Sequence, residues 1–299
     1  MMSVEVLPAV TGWLLFLAGV LLTGSVVARA AVAPGATAAE PAWLDRRTGG
    51  TGLLGALLMP VALGLVFHRQ FREFRDPFAP WSEDASLLLS SAWGTSFKMA
   101  VGAAVVAVAA MLVARRGRTW GWWLAGAAAV VLAAFPGLTG HASGGDVPTR
   151  LTLPVDVLHV LAAGAWMGGL ATVLWLEAAW RRQGALPASL LPGLVPRFSR
   201  VAQVAVGALL LTGMVSTWFQ LPAWSDLWRT DYGRTLALKL GLVAVALFLG
   251  GLNWKRLTPR LHQADGPGAM RRAAAVELAV GTLILLVTAV LVRTSPTGH

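Results

Sequence analysis

Residues 154–180 read Pro154-Val-Asp156-Val-Leu-His159-Val-Leu-Ala-Ala-Gly164-Ala-Trp166-Met167-Gly168-Gly-Leu-Ala-Thr-Val-Leu-Trp-Leu-Glu-Ala-Ala-Trp180. At about 1.5 Å of rise per residue, a predominantly apolar stretch of this length is what an α-helix needs to cross a hydrocarbon core of about 30 Å. Seven further runs of similar character lie at 8–32, 50–67, 92–113, 121–135, 201–219, 233–251 and 273–292. The predicted fold is all-α: a polytopic membrane bundle of about eight transmembrane helices. The run at 121–135 is the shortest, so either its outer boundary lies past Pro136 or that helix tilts less than the others.

Composition agrees with a bilayer as solvent. Of 299 residues, 56% are apolar and only 13% charged, with a mean hydropathy of +0.66, well outside the range of water-soluble domains. The first run contains Ala28-Arg29-Ala30 and Ala31-Val32-Ala33, which resemble leader-cleavage sites. Glu5 precedes it without any Lys or Arg and its apolar core is long, so a retained helix is expected.

Basic residues of short loops collect on the cytoplasmic side and set the orientation. Loops after the odd-numbered runs carry Arg46 and Arg47, then Arg115, Arg116 and Arg118, then Arg181, Arg182, Arg197 and Arg200, then Lys255, Arg256, Arg260, Arg271 and Arg272. The alternate loops are poorer in basic residues or offset by Glu73, Asp76, Glu83, Asp84, Asp226 and Asp231. Both termini are therefore expected outside. Trp81, Trp93, Trp218, Trp224 and Trp228 fall at the outer boundary and Trp120, Trp122, Trp123, Trp180 and Trp254 at the inner one, as aromatic belts require. A division into an N-terminal membrane half, 1–140, and a C-terminal half, 141–299, is a convenient description.

Several function classes drop out. The net charge of +10 sits in loop clusters with no basic face or aromatic ladder, so no nucleic-acid partner is expected. There is no cysteine, which excludes disulfides, thiolate metal sites and a thiol nucleophile. Phosphate-loop, nucleophile-elbow and zinc-helix motifs are missing, so an enzyme is not expected and any transport runs downhill or on a coupled gradient.

What remains is His and Met. With this topology His68, His141 and His159 converge on the outer side, His159 one to two turns inside its helix. Asp156, His159 and Trp166 share one helix face with Met167 at its margin, while Gly164 and Gly168 form a small-xxx-small surface for close helix contact. Met99 and Met214 lie about two turns below the outer ends of their helices. Imidazole with thioether suits copper, and Cu(I) better than Cu(II), but each Met alone is as readily a gap-filler in apolar packing. His68 ranks behind the other two histidines because Arg69, Arg72 and Arg75 follow it. Lys98, Lys239 and Glu277 fall within apolar spans, where a charge costs about 2.5 to 3.5 kcal/mol, so each is paired, functional or snorkelling.

The second half resembles the copper resistance D (CopD) family of bacterial inner-membrane proteins. The residues that carry the likeness are Gly140-His141-Ala142, Leu158-His159, Ala165-Trp166-Met167-Gly168-Gly169, Arg197-Phe198-Ser199, Thr212-Gly213, Tyr232-Gly233-Arg234 with Lys239, Asn253, Pro259-Arg260-Leu261 and Glu277. The resemblance implies copper uptake or tolerance at the plasma (inner) membrane, with metal received outside, often from a soluble partner of the CopC type. It also implies that His141 and His159 are the family's histidines. No soluble copper-binding stretch accompanies the apolar runs, so a separate donor or unaided entry is expected.

Two other readings stay open at this stage. One is a b-type membrane cytochrome with haem held by two histidines. The other is a non-transporting scaffold that loads copper into a respiratory oxidase.

Overall fold

A computed structural model of the chain describes residues 6–139, 149–183, 189–220 and 225–294. They form helices α1 (Val6–Val27), α2 (Pro41–Phe74), α3 (Trp81–Ser90), α4 (Ala92–Ala114), α5 (Thr119–Thr139), α6 (Thr149–Ala163), α7 (Gly169–Arg181), α8 (Leu191–Gln220), α9 (Asp226–Arg229), α10 (Asp231–Leu252) and α11 (Gly266–Leu291). Helices α6 and α7 run on through a π-helical turn, Gly164–Gly168, and so make one span. Among the described residues eight helices are long and apolar enough to cross a membrane, and no strand is present. The chain is a multi-pass membrane bundle.

The ends of three spans differ from expectation. The second begins at Pro41 and runs to Phe74, the sixth begins at Leu191, and the eighth at Gly266. Hydropathy marks the part of a helix that lipid covers, whereas Arg, Gln and Ala continue a helix equally well in water, so the helix outlasts its apolar run. At 34 residues, α2 is roughly 51 Å long and must project beyond the hydrocarbon core. The short α5 continues through Pro136 to Thr139, which places its boundary past the proline. The helix α3, lying between two spans, had no counterpart in the apolar pattern because it is short and half polar.

Local chemistry sets the starts and stops. The hydroxyl of Ser91 accepts the Gly94 N–H at 3.1 Å at the start of α4, and that of Thr230 accepts the Gly233 N–H at 2.9 Å at the start of α10. Each satisfies one of the N–H groups that a helix start leaves unpaired. Between α4 and α5 the chain turns on Gly117, whose φ of +80° suits a residue without Cβ.

α1 is the axis of the bundle. Its Ala18 and Leu22 pack into an apolar core with α2, α4 and α5, while Val20 joins a second core with the fifth span, α8, α10 and α11. Glycine makes the closest of these contacts. A Cβ at Gly168 would run into the backbone carbonyl of Val20, one at Gly24 into the backbone of Gly168, and one at Gly164 into Thr23 at 2.6 Å. The close approach predicted for Gly164 and Gly168 thus exists, and its partner is the first helix. In lipid, where apolar burial drives little association, backbone proximity of this kind holds helices together through dispersion.

Candidate metal centre

His159 lies on α6 at the end of the bundle it shares with the last turns of α5 and α8 and the first turns of α10. Its Nδ1 is 2.8 Å from Oγ1 of Thr212 on α8. That hydroxyl is itself 2.6 Å from the carbonyl oxygen of Ala208, one turn back. A carbonyl only accepts, so the single hydroxyl proton of Thr212 goes to Ala208, and Oγ1 must accept from His159. In the neutral ring the proton therefore sits on Nδ1 and the lone pair on Nε2. Among the described residues Nε2 has no hydrogen-bond partner. An imidazole fixed by a second partner with one bare nitrogen is what a ligating histidine requires.

The ring's neighbours set the local charge. Gly213 leaves room beside it, a Cβ there falling 3.6 Å from Cε1 of His159. Asp156, one turn away on the same face, is half-buried and packs on α5, where a Cβ at Gly137 would stand 3.2 Å from its Oδ2. Lys239 of α10 is half-buried and interacts electrostatically with His159. One carboxylate and one ammonium thus flank the imidazole.

Other expected ligands lie elsewhere. His141 is outside the described residues. Met99 is 55% exposed on α4, a helix packed on α2, α3 and α5, and Met214 is 67% exposed on α8. Depth along the helix was matched, but rotation was not. Met214 follows Thr212 by two residues, about 200° around the helix, so the turn that brings Thr212 to His159 carries Met214 away. Met167 is buried, yet it packs on α11, with Sδ 3.3 Å from where a Cβ of Gly281 would be. His68, His262 and Lys98 are exposed. Among the described residues no group of three His, Asp or Glu side chains is placed to hold a metal ion.

About 10 Å further along the fifth span, seven residues on from His159, a second polar cluster forms. Trp166 donates from Nε1 to Oε1 of Glu277 at 3.2 Å, and Asn253 donates from Nδ2 to Oε2 at 3.0 Å. Trp166 and Asn253 each belong to a π-helical turn, Gly164–Gly168 and Asn253–Leu257. Such turns are rare, and they re-aim side chains at functional places within a helix. Here two of them converge on one carboxylate. Of the roles open to a charge within a span, Glu277 thus takes that of a paired group.

Arg271 is taken by a residue that the sequence reading passed over. Glu177, fully buried on α7, lies 3.1 Å from Arg271 Nη1 and also accepts Ser189 Oγ–H at 3.0 Å and Leu190 N–H at 2.9 Å. Its position inside an apolar span was the available signal. Arg29, two residues past α1, and Asp45 of α2, likewise missed, form a second ion pair. Thr212 stood in the sequence only as part of the family likeness, with no chemical signal pairing it with His159.

Residues 192–291, which span α8 to α11, match the family model of copper resistance protein D. This C-terminal third of the chain is similar to the CopD family. It is 33% identical over 153 residues to copper transport protein CutJ of Bacillus subtilis (strain 168), a match covering 51% of this chain and 27% of that protein. The chain thus spans about a quarter of the length of that relative. To inner membrane protein YebZ of Escherichia coli (strain K12) it is 24% identical over 282 residues, 83% of this chain and 92% of the other. To copper resistance protein D of Pseudomonas syringae pv. tomato it is 28% identical over 217 residues, 70% and 69% of the two chains. No solved structure matches it. The chain is accordingly a multi-pass membrane protein similar to copper-related and inner-membrane proteins. Helices α8, α10 and α11, which supply Thr212, Lys239, Asn253 and Glu277, all fall within the family region.

Proposed function

We propose that this protein, like the CopD proteins it resembles, carries or relays copper across the inner membrane, receiving the metal at the His159 end of the bundle. The observation that carries this reading is the Thr212 hydroxyl, whose committed proton leaves His159 Nε2 bare inside an apolar span. A free imidazole nitrogen within a membrane span is costly to leave without a partner, and copper is an ion that seeks it. Names of relatives that state copper transport and copper resistance support the same cargo. The basic-loop pattern assigns this end, and both termini, to the outside. Delivery by a soluble donor of the CopC type fits such an outer entry, as does Cu(I) with its preference for few soft ligands. The protein acts as a carrier and catalyses no covalent chemistry.

Lys239 favours passage over storage. Its ammonium repels a resident cation near His159 while Asp156 attracts one, so the ion is held weakly and moves on. His141, adjacent in sequence to the end of α5, is proposed as the second imidazole.

The test is copper movement in sealed vesicles of known orientation. Wild-type protein should accumulate copper from the His159 side, and His159→Ala should lose both accumulation and the copper that co-purifies. Unchanged occupancy and unchanged accumulation in His159→Ala would defeat the proposal.

A further inference from the structure

A cavity of about 210 Å³ opens beside Glu277, between the fifth span, α8, α10 and α11, and the copper reading makes no use of it. An apolar cavity of about 150 Å³ already accommodates benzene, so this one has room for a ring. Trp166, Phe198 and Trp254 present aromatic surface to it, with aliphatic side chains closing the rest. Glu277 is the one ionisable residue among those lining it, and it is only 7% exposed.

When ionised, that carboxylate is not matched by a positive charge. Its two partners, Trp166 and Asn253, are neutral donors, one to each oxygen. Among the described residues no Lys, Arg or His lies within ion-pair distance of it; Arg271, six positions earlier on α11, is paired with Glu177. A carboxylate oxygen accepts two hydrogen bonds, so each oxygen retains one unused acceptor site. A negative charge solvated only by neutral donors inside a bilayer calls for a cation.

The lining selects which kind. An alkali or alkaline-earth ion needs a shell of six or more oxygens, which walls of carbon with one carboxylate and a few neutral polar groups do not provide. A lipid tail would fill the carbon-lined space but leave Glu277 uncompensated. An organic cation answers both demands, with its apolar body on the aliphatic wall and its head between the carboxylate and the aromatic faces, which attract cations through their ring quadrupoles.

We propose that this cavity is a binding site for small organic cations, an ammonium head between Glu277 and the aromatic side chains of Phe198 and Trp254 and a ring-sized body on the aliphatic wall. The site is separate from the copper centre.

The experiment is calorimetric titration of the full-length protein in lipid nanodiscs with benzyltrimethylammonium and with neopentylbenzene, the neutral isostere in which carbon replaces nitrogen. The cation should bind at least tenfold more tightly than the isostere, and Glu277→Gln should remove that preference while leaving the isostere's weak binding unchanged. Gly251→Leu, at a lining position where a Cβ meets nothing within 4 Å, should fold normally and weaken both ligands by filling the space. The proposal is overturned if the isostere binds as tightly as the cation, if the cation's affinity survives Glu277→Gln, or if wild-type protein binds neither at millimolar concentration. Neither ligand is copper, so failure here leaves the copper reading standing, and the reverse holds.

Discussion

Arg271 on α11 donates from Nη1 to Oε1 of Glu177 on α7 across 3.1 Å, at a carboxylate that is completely buried. The same carboxylate receives the Ser189 hydroxyl and the Leu190 N–H at the start of α8, so one side chain ties three spans together. Glu177→Ala would strand a guanidinium and a backbone N–H at once. Breaking a buried pair by removing one partner costs about 3 to 5 kcal/mol, and with Arg271 about a third exposed the lower end applies. Thermal unfolding in detergent should show a large loss for Glu177→Ala and a smaller one for Glu177→Gln, which keeps an acceptor oxygen.

Thr212 is predicted to control copper affinity without touching copper. Thr212→Val keeps the shape but removes the oxygen that holds the proton on Nδ1 of His159, freeing the ring to turn. Loss of an outer partner of this kind costs about tenfold to a hundredfold in metal affinity, whereas Thr212→Ser should retain it. A competition titration with a copper chelator separates the two outcomes, and equal affinity in Val and Ser variants would count against the assigned role.

Glycine at 168 is a packing requirement. Because a Cβ there would occupy the Val20 carbonyl, Gly168→Ala must push α1 away from the fifth span and should lower the melting temperature and the yield of folded protein. Gly207→Ala is the control, since a Cβ at that position meets nothing within 4 Å. It should be neutral, or stabilising by up to about 1 kcal/mol from helix propensity.

Met99→Leu and Met214→Leu should leave copper retention and vesicle uptake within about twofold of wild type. Both side chains are more than half exposed, so replacing a thioether with a similarly shaped hydrocarbon leaves the enclosed centre unaltered. A tenfold loss in either variant would restore thioether ligation to the scheme.

The eight spans could be read directly from the sequence because lipid imposes a one-dimensional rule. A chain that must pair its own backbone groups in a medium without water shows each crossing as a long apolar run, and the run at 154–180 says so without reference to any other residue. The same physics made Gly164 and Gly168 recognisable as a contact surface, and marked Glu277 and Lys239 as groups that need partners. Helix ends in water, at Pro41, Leu191 and Gly266, escaped because hydropathy does not register a helix once it leaves lipid.

Partners were another matter, since they depend on how each helix is rotated and which helix lies beside it. One sequence reading placed Met99 and Met214 at the depth of His159; the bundle turned both outward and brought Thr212 in. Glu277 needed a partner that the sequence did not name; Glu177 claimed Arg271 from α7, and two π-helical turns delivered Trp166 and Asn253 to Glu277. The sequence by itself determined the number of crossings and the residues that could carry charge or metal, since those follow from composition along one dimension. Only the tertiary structure decided which of them meet, because a phase difference of 100° per residue separates a ligand from a lipid-facing side chain at the same depth.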